Sequence, residues 1–268
     1  MMNTKMIVLD CDGTLLNSKK EISETTKKAL VSAMDRGIKV MLASARPFYR
    51  LKPMLETLGS NVADQYTIAF NGGLIMNNTE TEIILSRSFA AEQMKRIIEV
   101  GDEAGTMMFL YTQNAILANR DDPKYRQKNP DVAFYVCDLH EVDFAKTEIF
   151  KVAYVNKPDV TVQLRTNLPT DMYDNFEISS SVPQFVEFTP KDVTKAYALK
   201  LLCEKMNISA DEVVAFGDED NDLPMLNFSG FGIAMGNAAQ RVKNVADYVT
   251  TSNDEDGVAR ALAFLGII

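Results

Sequence analysis

The sequence predicts an α/β protein. Its core is a doubly wound parallel sheet, Rossmann-like, and a second α+β domain is inserted into it. Three observations carry this. Short apolar runs alternate with helix-patterned stretches over residues 1–85 and again over 189–268, the rhythm of strands joined by crossover helices. Successive apolar runs end in polar clusters, at Asp10-Cys11-Asp12-Gly13, Ser44-Ala45-Arg46-Pro47 and Asn71-Gly72-Gly73. Over 86–188 that rhythm gives way to one clear helix and several scattered strand-like runs.

Met6 to Leu9 is short and wholly apolar, as a strand buried on both faces is. A helix follows, with Ser23 as its N-cap and Gly37 at its end. Ile38 to Ala43 is the second strand, and Pro47 suits the first turn of the next helix, which Gly59 closes. Thr67 to Phe70 is the third strand. Leu74-Ile75-Met76 and Glu82 to Leu85 then flank Asn77 to Glu80 as a hairpin. In the insert, Met94, Ile97, Ile98 and Gly101 keep helical spacing. Strand-like runs follow at 107–111, 149–155, 177–180 and 185–188, with a helix over 159–168, and the charged stretch 120–132 reads as a loop. The alternation resumes with a helix from Lys195, carrying Leu199, Leu202, Cys203 and Met206 on one stripe. The strands 213–216, 231–235 and 248–250 and a closing helix over 255–265 complete the core.

Bulk properties narrow the function. The chain has 268 residues, 46% of them hydrophobic, and a formal net charge of -9. Acidity argues against nucleic acid or an anionic membrane surface as a partner. No apolar run approaches the ~18 residues of a membrane span, and the opening residues lack a secretory pattern. Cys11, Cys137 and Cys203 lie far apart and form no CxxC, which suits reduced thiols in a cytoplasmic protein. His140 is the only histidine, which argues against a Ser-His-Asp triad or a multi-histidine zinc site.

The chemistry lies in four polar clusters: Asp10 with Asp12; Ser44 with Arg46; Lys195; and Asp218 with Asn221 and Asp222. Residues i and i+2 of an extended chain share a side, so Asp10 and Asp12 can project together from a strand's carboxyl end, where open α/β sheets bind ligands. Taken alone, each cluster has a plainer reading: an Asp-Gly turn, a solvated acidic loop, a surface lysine. Jointly they fall on one sheet edge. Unit charges ~4 Å apart interact by roughly 4 kcal/mol at an effective dielectric near 20, so carboxylates gathered there call for a cation, and hard cations such as Mg²⁺ prefer oxygen ligands.

Asp10-Cys11-Asp12-Gly13-Thr14-Leu15 resembles the first motif of the haloacid dehalogenase superfamily. Ser44, Lys195 and Gly217-Asp218-Glu219-Asp220-Asn221-Asp222 resemble its second, third and fourth motifs, in order. Asn71-Gly72, Gly236-Asn237-Ala238 and the run from Thr251 to Val258 match the Cof-like phosphatase branch, whose large cap domain is inserted after the third strand. The resemblance implies a phosphatase acting on a small phosphorylated metabolite, such as a sugar phosphate, as a monomer or homodimer. It implies Asp10 as the nucleophile that forms an aspartyl-phosphate, and Asp12 as general acid and base. It makes Ser44, Lys195 and Asn221 phosphate-binding and gives substrate contacts to Arg46, Asn71 and Gly72. Mg²⁺ is implied on Asp10, Asp218 and the Asp12 backbone carbonyl, with Asp222 nearby. Ala45 and Ala196 stand where the family often has glycine, a departure that touches loop conformation. A phosphotransferase or mutase on the same fold is the nearest enzymatic rival. A phospho-acceptor signalling module like a response-regulator receiver is the rival of another class, and it needs neither the length nor the insert. A dinucleotide fingerprint starting at Gly230 fails at Met235. The insert carries no such cluster of its own, so it is expected to select substrate, with Tyr111, Arg120, Asp121 and Tyr125 as candidate contacts.

Overall fold

The structure, a computed structural model, describes residues 3–180 and 182–268. It divides into two compact units, Met1–Ser86 with Thr194–Ile268, and Arg87–Val193. Phe185–Pro190 pairs wholly within the second unit's sheet, so the chain returns to the first unit after that strand rather than at 189.

The first unit is built on an eight-stranded sheet. Its order is Tyr248–Val249, Phe231–Ala234, Val213–Gly217, Met6–Leu9, Lys39–Ala43, Tyr66–Ala69, Leu74–Asn77, Ile83–Ser86. The first six of these run parallel, and the last two form an antiparallel hairpin at one edge. Met6 to Leu9 are fully buried. From this strand the chain steps one way to Lys39–Ala43, while Val213–Gly217 pairs on the other side. Such a reversal of strand order opens a crevice at the strands' carboxyl ends. The flanking helices follow from local chemistry. Ser23 Oγ accepts from the Thr26 N–H at 3.1 Å and starts Glu24–Asp35, whose Ala29, Leu30 and Ala33 are buried. Pro47 precedes a short 3₁₀ turn, Phe48–Arg50, and it is Pro53 that occupies the first turn of the helix Lys52–Leu58.

The second unit is a six-stranded sheet in the order Phe176–Ser179, Phe185–Pro190, Lys151–Val155, Met107–Tyr111, Ala115–Ala118, Ala133–Val136. Met108, Leu110, Val152, Tyr154, Val186 and Phe188 join Met94, Ile97 and Ile98 of the helix Ala91–Glu103 in one buried cluster. Alternation sends Phe109 and Tyr111 to the other face. Within the stretch read as a loop, the Asp122 carboxylate accepts from the Tyr125 N–H at 2.9 Å and starts a short helix, Pro123–Lys128. Tyr125 packs edge-on against Phe109, with ring centroids 4.9 Å apart. No helix among the described residues is long and apolar enough to cross a membrane.

Candidate active site

Asp10 follows directly on the central strand, and its N–H donates to the Phe216 carbonyl at 3.1 Å. The chain then turns sharply: the Leu15 N–H reaches back to the Asp10 carbonyl and the Leu16 N–H to that of Cys11. Gly13 makes the turn with φ of 83°, and a Cβ there would overlap the Asp218 carboxylate. Glycine supplies both the left-handed backbone and the clearance.

Asp218 and Asp222 come from the loop after Val213–Gly217. Lys195 is the first residue of the helix Lys195–Met206, whose N-cap Thr194 accepts from the Tyr197 N–H. The Lys195 side chain is 0% exposed. Its ammonium donates to Asp10 Oδ1, and to Asp222 Oδ1 at 2.7 Å. The other Asp222 oxygen accepts from the N–H groups of Asp218 and Glu219, at 3.0 and 3.1 Å. The Thr14 hydroxyl donates to Asp218 Oδ1 at 2.7 Å. Asp222 thus spends both oxygens, whereas Asp10 and Asp218 each keep one that accepts no hydrogen bond among the described residues.

These three buried carboxylates offer oxygens within 4.8 Å of one another. Burial pushes the Asp10 carboxyl up to about 7; the Lys195 charge opposes this, and the charges of Asp222 and Asp218 add to it. Burial also pushes Asp218 up to about 6, against the Thr14 hydrogen bond. Burial alone would lower Lys195, but Asp10 and Asp222 outweigh it and keep the ammonium charged. One cation among three acids leaves a deficit. An all-oxygen donor set with that deficit fits a hard divalent ion. Haloacid dehalogenase-like hydrolases generally use a divalent metal, and this acidic triad is a place that could bind one.

Asp12 stands apart from that group. Pairing in the strand ends at Leu9, before both aspartates. Its carboxylate accepts from Arg46 Nε and Nη2, both at 2.6 Å, and from Lys20 Nζ at 2.8 Å. Burial would raise Asp12, but those hydrogen bonds and charges hold it at about 2. Cys11 turns into the core, and burial pushes its thiol up to about 12.

Ser44 is 2% exposed; its Oγ accepts from the Arg46 N–H at 3.2 Å, and its carbonyl from the Asn71 N–H at 2.8 Å. Asn221 donates through Nδ2 to Asn71 Oδ1 at 3.0 Å. Gly72 lies against the Thr194 carbonyl and the Lys195 amide. Arg46, Asn71 and Gly72, expected to contact substrate, are therefore engaged with Asp12, Asn221 and the Thr194–Lys195 backbone respectively.

Thr14 and Lys20 were not singled out by the sequence. Thr14 lies inside the first motif, so its hydroxyl was in view, whereas nothing marks Lys20 before folding brings it to Asp12. Asn237 links Gly13, through the carbonyl its Nδ2 reaches at 2.8 Å, to Asn253, whose N–H donates to its Oδ1 at 3.0 Å. Asn253 Nδ2 in turn donates to the Leu16 carbonyl at 2.8 Å, so the two carboxyl-terminal motifs hold the loop after Asp12. In the second unit, Arg120 donates to the Gly105 carbonyl, Asp121 pairs with Arg126, and the Tyr111 ring lies beneath Lys151 Nζ.

Comparison with known proteins points the same way. The sequence pattern described as haloacid dehalogenase-like hydrolase matches residues 7–262. A haloacid dehalogenase-like hydrolase from Bacteroides thetaiotaomicron is similar in structure, with TM-score 0.88 and 32% identity over 98% of this chain and 99% of that one. YxeH of Bacillus subtilis (strain 168) is 31% identical over 261 residues, covering 96% of this chain and 97% of its own. From the same organism, 5-amino-6-(5-phospho-D-ribitylamino)uracil phosphatase YcsE is 28% identical, covering 97% of this chain and 95% of its own.

Proposed function

Since this chain belongs to the haloacid dehalogenase-like hydrolases and is a phosphoric monoester hydrolase, we propose that it cleaves a small soluble phosphomonoester, a sugar phosphate or similar metabolite, through an aspartyl-phosphate on Asp10. The supporting observation is the buried arrangement of Asp10, Lys195, Asp218 and Asp222 at the carboxyl edge of the central strands. The units 1–86 with 194–268 and 87–193 act as catalytic core and cap.

In the first step an Asp10 oxygen forms a bond to phosphorus while the bond from phosphorus to the leaving oxygen breaks. Asp12 donates a proton to that oxygen. In the second step Asp12 removes a proton from water, the water oxygen bonds to phosphorus, and the Asp10–phosphorus bond breaks to release phosphate. A covalent intermediate splits one hard displacement into two easier ones. The Ser44 hydroxyl, the Lys195 ammonium and the Asn221 amide hold the phosphoryl oxygens. Asp10, Asp218 and the Asp12 carbonyl would hold Mg²⁺, with Asp222 in support, and the ion would supply charge neutralisation and alignment. Asp222 suits a supporting place because both its oxygens are engaged. Asp12 can carry a proton only when it parts from Arg46, because as held its carboxyl stays ionised near 2.

A phosphate-release screen over a metabolite panel, with and without Mg²⁺, tests this. Turnover should need Mg²⁺ or Mn²⁺ and stop with chelator, and Ca²⁺ should replace them poorly because its coordination is larger and looser. Full turnover by metal-free protein in excess EDTA would refute the mechanism. Transfer of phosphate to a second substrate, with none set free, would replace hydrolysis by phosphotransfer.

A further inference from the structure

The strand Tyr66–Ala69 ends in a turn whose backbone is left-handed at three successive residues: Phe70, Asn71 and Gly72, with φ of 50°, 60° and 109°. Phe70 is fully buried, and a bulky aromatic residue at positive φ is a true outlier. Such strain persists only where the surroundings impose it, and an observed outlier licenses a search for what it serves.

What surrounds the turn is the phosphate-binding machinery. The Phe70 N–H donates to the Arg46 carbonyl at 3.0 Å, and the Asn71 N–H to the Ser44 carbonyl at 2.8 Å. The turn is thereby stitched to the segment that presents the Ser44 hydroxyl. Asn71 Oδ1 accepts from Asn221 Nδ2 at 3.0 Å, which turns the Asn221 amide to a set direction. At Gly72 an added Cβ would overlap the Thr194 carbonyl and stand 3.3 Å from the Lys195 nitrogen. The backbone that starts the Lys195 helix is seated where only hydrogen fits. Three segments far apart in sequence, each bearing one phosphoryl-binding group, meet at these three residues.

We propose that Asn71 and Gly72 are positioning residues: the left-handed turn 70–72 fixes the spacing of Ser44, Lys195 and Asn221 and does not itself touch substrate. This rests on the phosphatase reading of those three groups. A phosphoryl group presents several oxygens at fixed separations, so donors on separate segments need one rigid element to set their spacing. The strain of the turn would then serve the registration of Lys195 and Asn221.

The test uses the full chain with Asn71→Gly, Asn221→Ala and the double variant. Glycine accepts the left-handed backbone, so Asn71→Gly removes the amide and leaves the turn. Three quantities are read: kcat/KM on p-nitrophenyl phosphate, affinity for inorganic phosphate by calorimetry with Mg²⁺, and Tm. Asn71→Gly should lower kcat/KM and phosphate affinity by roughly tenfold, the worth of one well-placed hydrogen bond, with Tm little changed. The double variant should match Asn221→Ala, because Asn71 acts through Asn221. Gly72→Ala should weaken phosphate affinity further by displacing Lys195, and if it fails to fold, the Asn71 series decides. Wild-type affinity and turnover in Asn71→Gly, effects that multiply in the double variant, or a fall in Tm alone would overturn the proposal. If the unmodified chain binds phosphate but hydrolyses no ester, the phosphatase reading fails and calorimetry still decides the role of the turn. If it binds no phosphate, both fall.

Discussion

Each of the two units sets a largely covered lysine against buried acid, and the two settings differ in kind. In the inserted unit, the Lys151 side chain is 13% exposed, pairs with Glu187 at 2.8 Å, and has its ammonium 4.6 Å from the centre of the Tyr111 ring. In the core, Lys195 faces Asp10 and Asp222, with Asp218 joining them in the acidic cluster. Taking an ion out of water costs several kcal/mol, which a partner must offset. A one-to-one pair can be offset within the fold, and a ring quadrupole adds to it. One ammonium among three buried acids cannot: burial raises the carboxyls of Asp10 and Asp218, and the charges of neighbouring acids add to it. Stoichiometry, together with burial, separates a structural ion pair from a site that calls for a ligand.

Substitutions can break that contrast, and the largest effect is expected at Asp10, the proposed nucleophile. Asp10→Asn should lower kcat by roughly 10⁴-fold or more, as loss of a covalent nucleophile does, and acid-quenched samples should hold no phospho-enzyme. Near wild-type turnover in protein checked free of deamidation would remove Asp10 from its role. Lys195→Met should cost on the order of 10²–10³-fold, the range for losing one donor to developing charge. Lys151→Met should leave p-nitrophenyl phosphate turnover within about threefold but lower stability by about 3 kcal/mol, because it removes the ammonium paired with the buried Glu187 carboxylate. Urea melts beside the kinetics separate the two, and the contrast fails if both lysines change rate and stability alike.

The buried acids also set a pH dependence. In metal-free protein Asp10 titrates near 7 instead of its ordinary 3.8, so the folded state keeps a proton that the unfolded chain releases. The contribution is therefore full below 3.8 and is lost as pH rises to about 7. Asp218 acts in the same sense, over a window that closes at about 6. Asp12 runs the other way: its ion pairs stabilise above 3.8, and that part is lost as pH falls toward about 2. Metal-free protein should accordingly lose stability from pH 4 to 7, read as falling Tm. Mg²⁺ at pH 7 should restore it, by about 2.7 kcal/mol at a hundredfold excess over its Kd. Asp218→Asn should flatten the pH slope and abolish the Mg²⁺ effect. A Tm that ignores both pH and Mg²⁺ would mean that the acids of the core carry no deficit.

The core was legible because its signals are local and repeated. Met6 to Leu9 is an unbroken apolar run, the polar residues follow it at once, and Ser23 and Gly59 mark helix ends through their own caps. The inserted unit was less so. Ala115–Ala118 and Ala133–Val136 are four residues each, mix small and large side chains, and gain strand character only by pairing. The helix Pro123–Lys128 had its signal in Asp122-Pro123, but its packing depends on Tyr125 meeting Phe109, which sequence spacing does not show. At the site, the residue types of Asp10, Lys195 and Asp218 could be read directly. The hold of Arg46 and Lys20 on Asp12 could not, since it depends on side chains brought together from 34 and 8 residues away.

The smallest effects concern selectivity, which we assign to the inserted unit. The groups we assign to phosphoryl binding would meet a moiety common to every candidate ester, so they could not rank substrates. Ranking needs contacts with the leaving group, and among the described residues of 87–193 no cluster of metal-ligating side chains competes for the chemistry. A contact with a leaving group is worth about 1–3 kcal/mol, or 10–200-fold between related substrates. Tyr125→Ala is a blunt probe, because the ring also fills space beside Phe109 and Phe134. Arg120→Ala and Asp121→Ala are gentler, since both side chains are engaged only at the surface. Substitution at a true contact should shift relative kcat/KM across a panel of sugar and polyol phosphates by about tenfold, while p-nitrophenyl phosphate, whose leaving group needs little recognition, changes far less. An alanine scan of the whole unit that leaves the panel ranking intact, while Asp10 and Lys195 substitutions silence every substrate alike, would show that ranking too is set by the core.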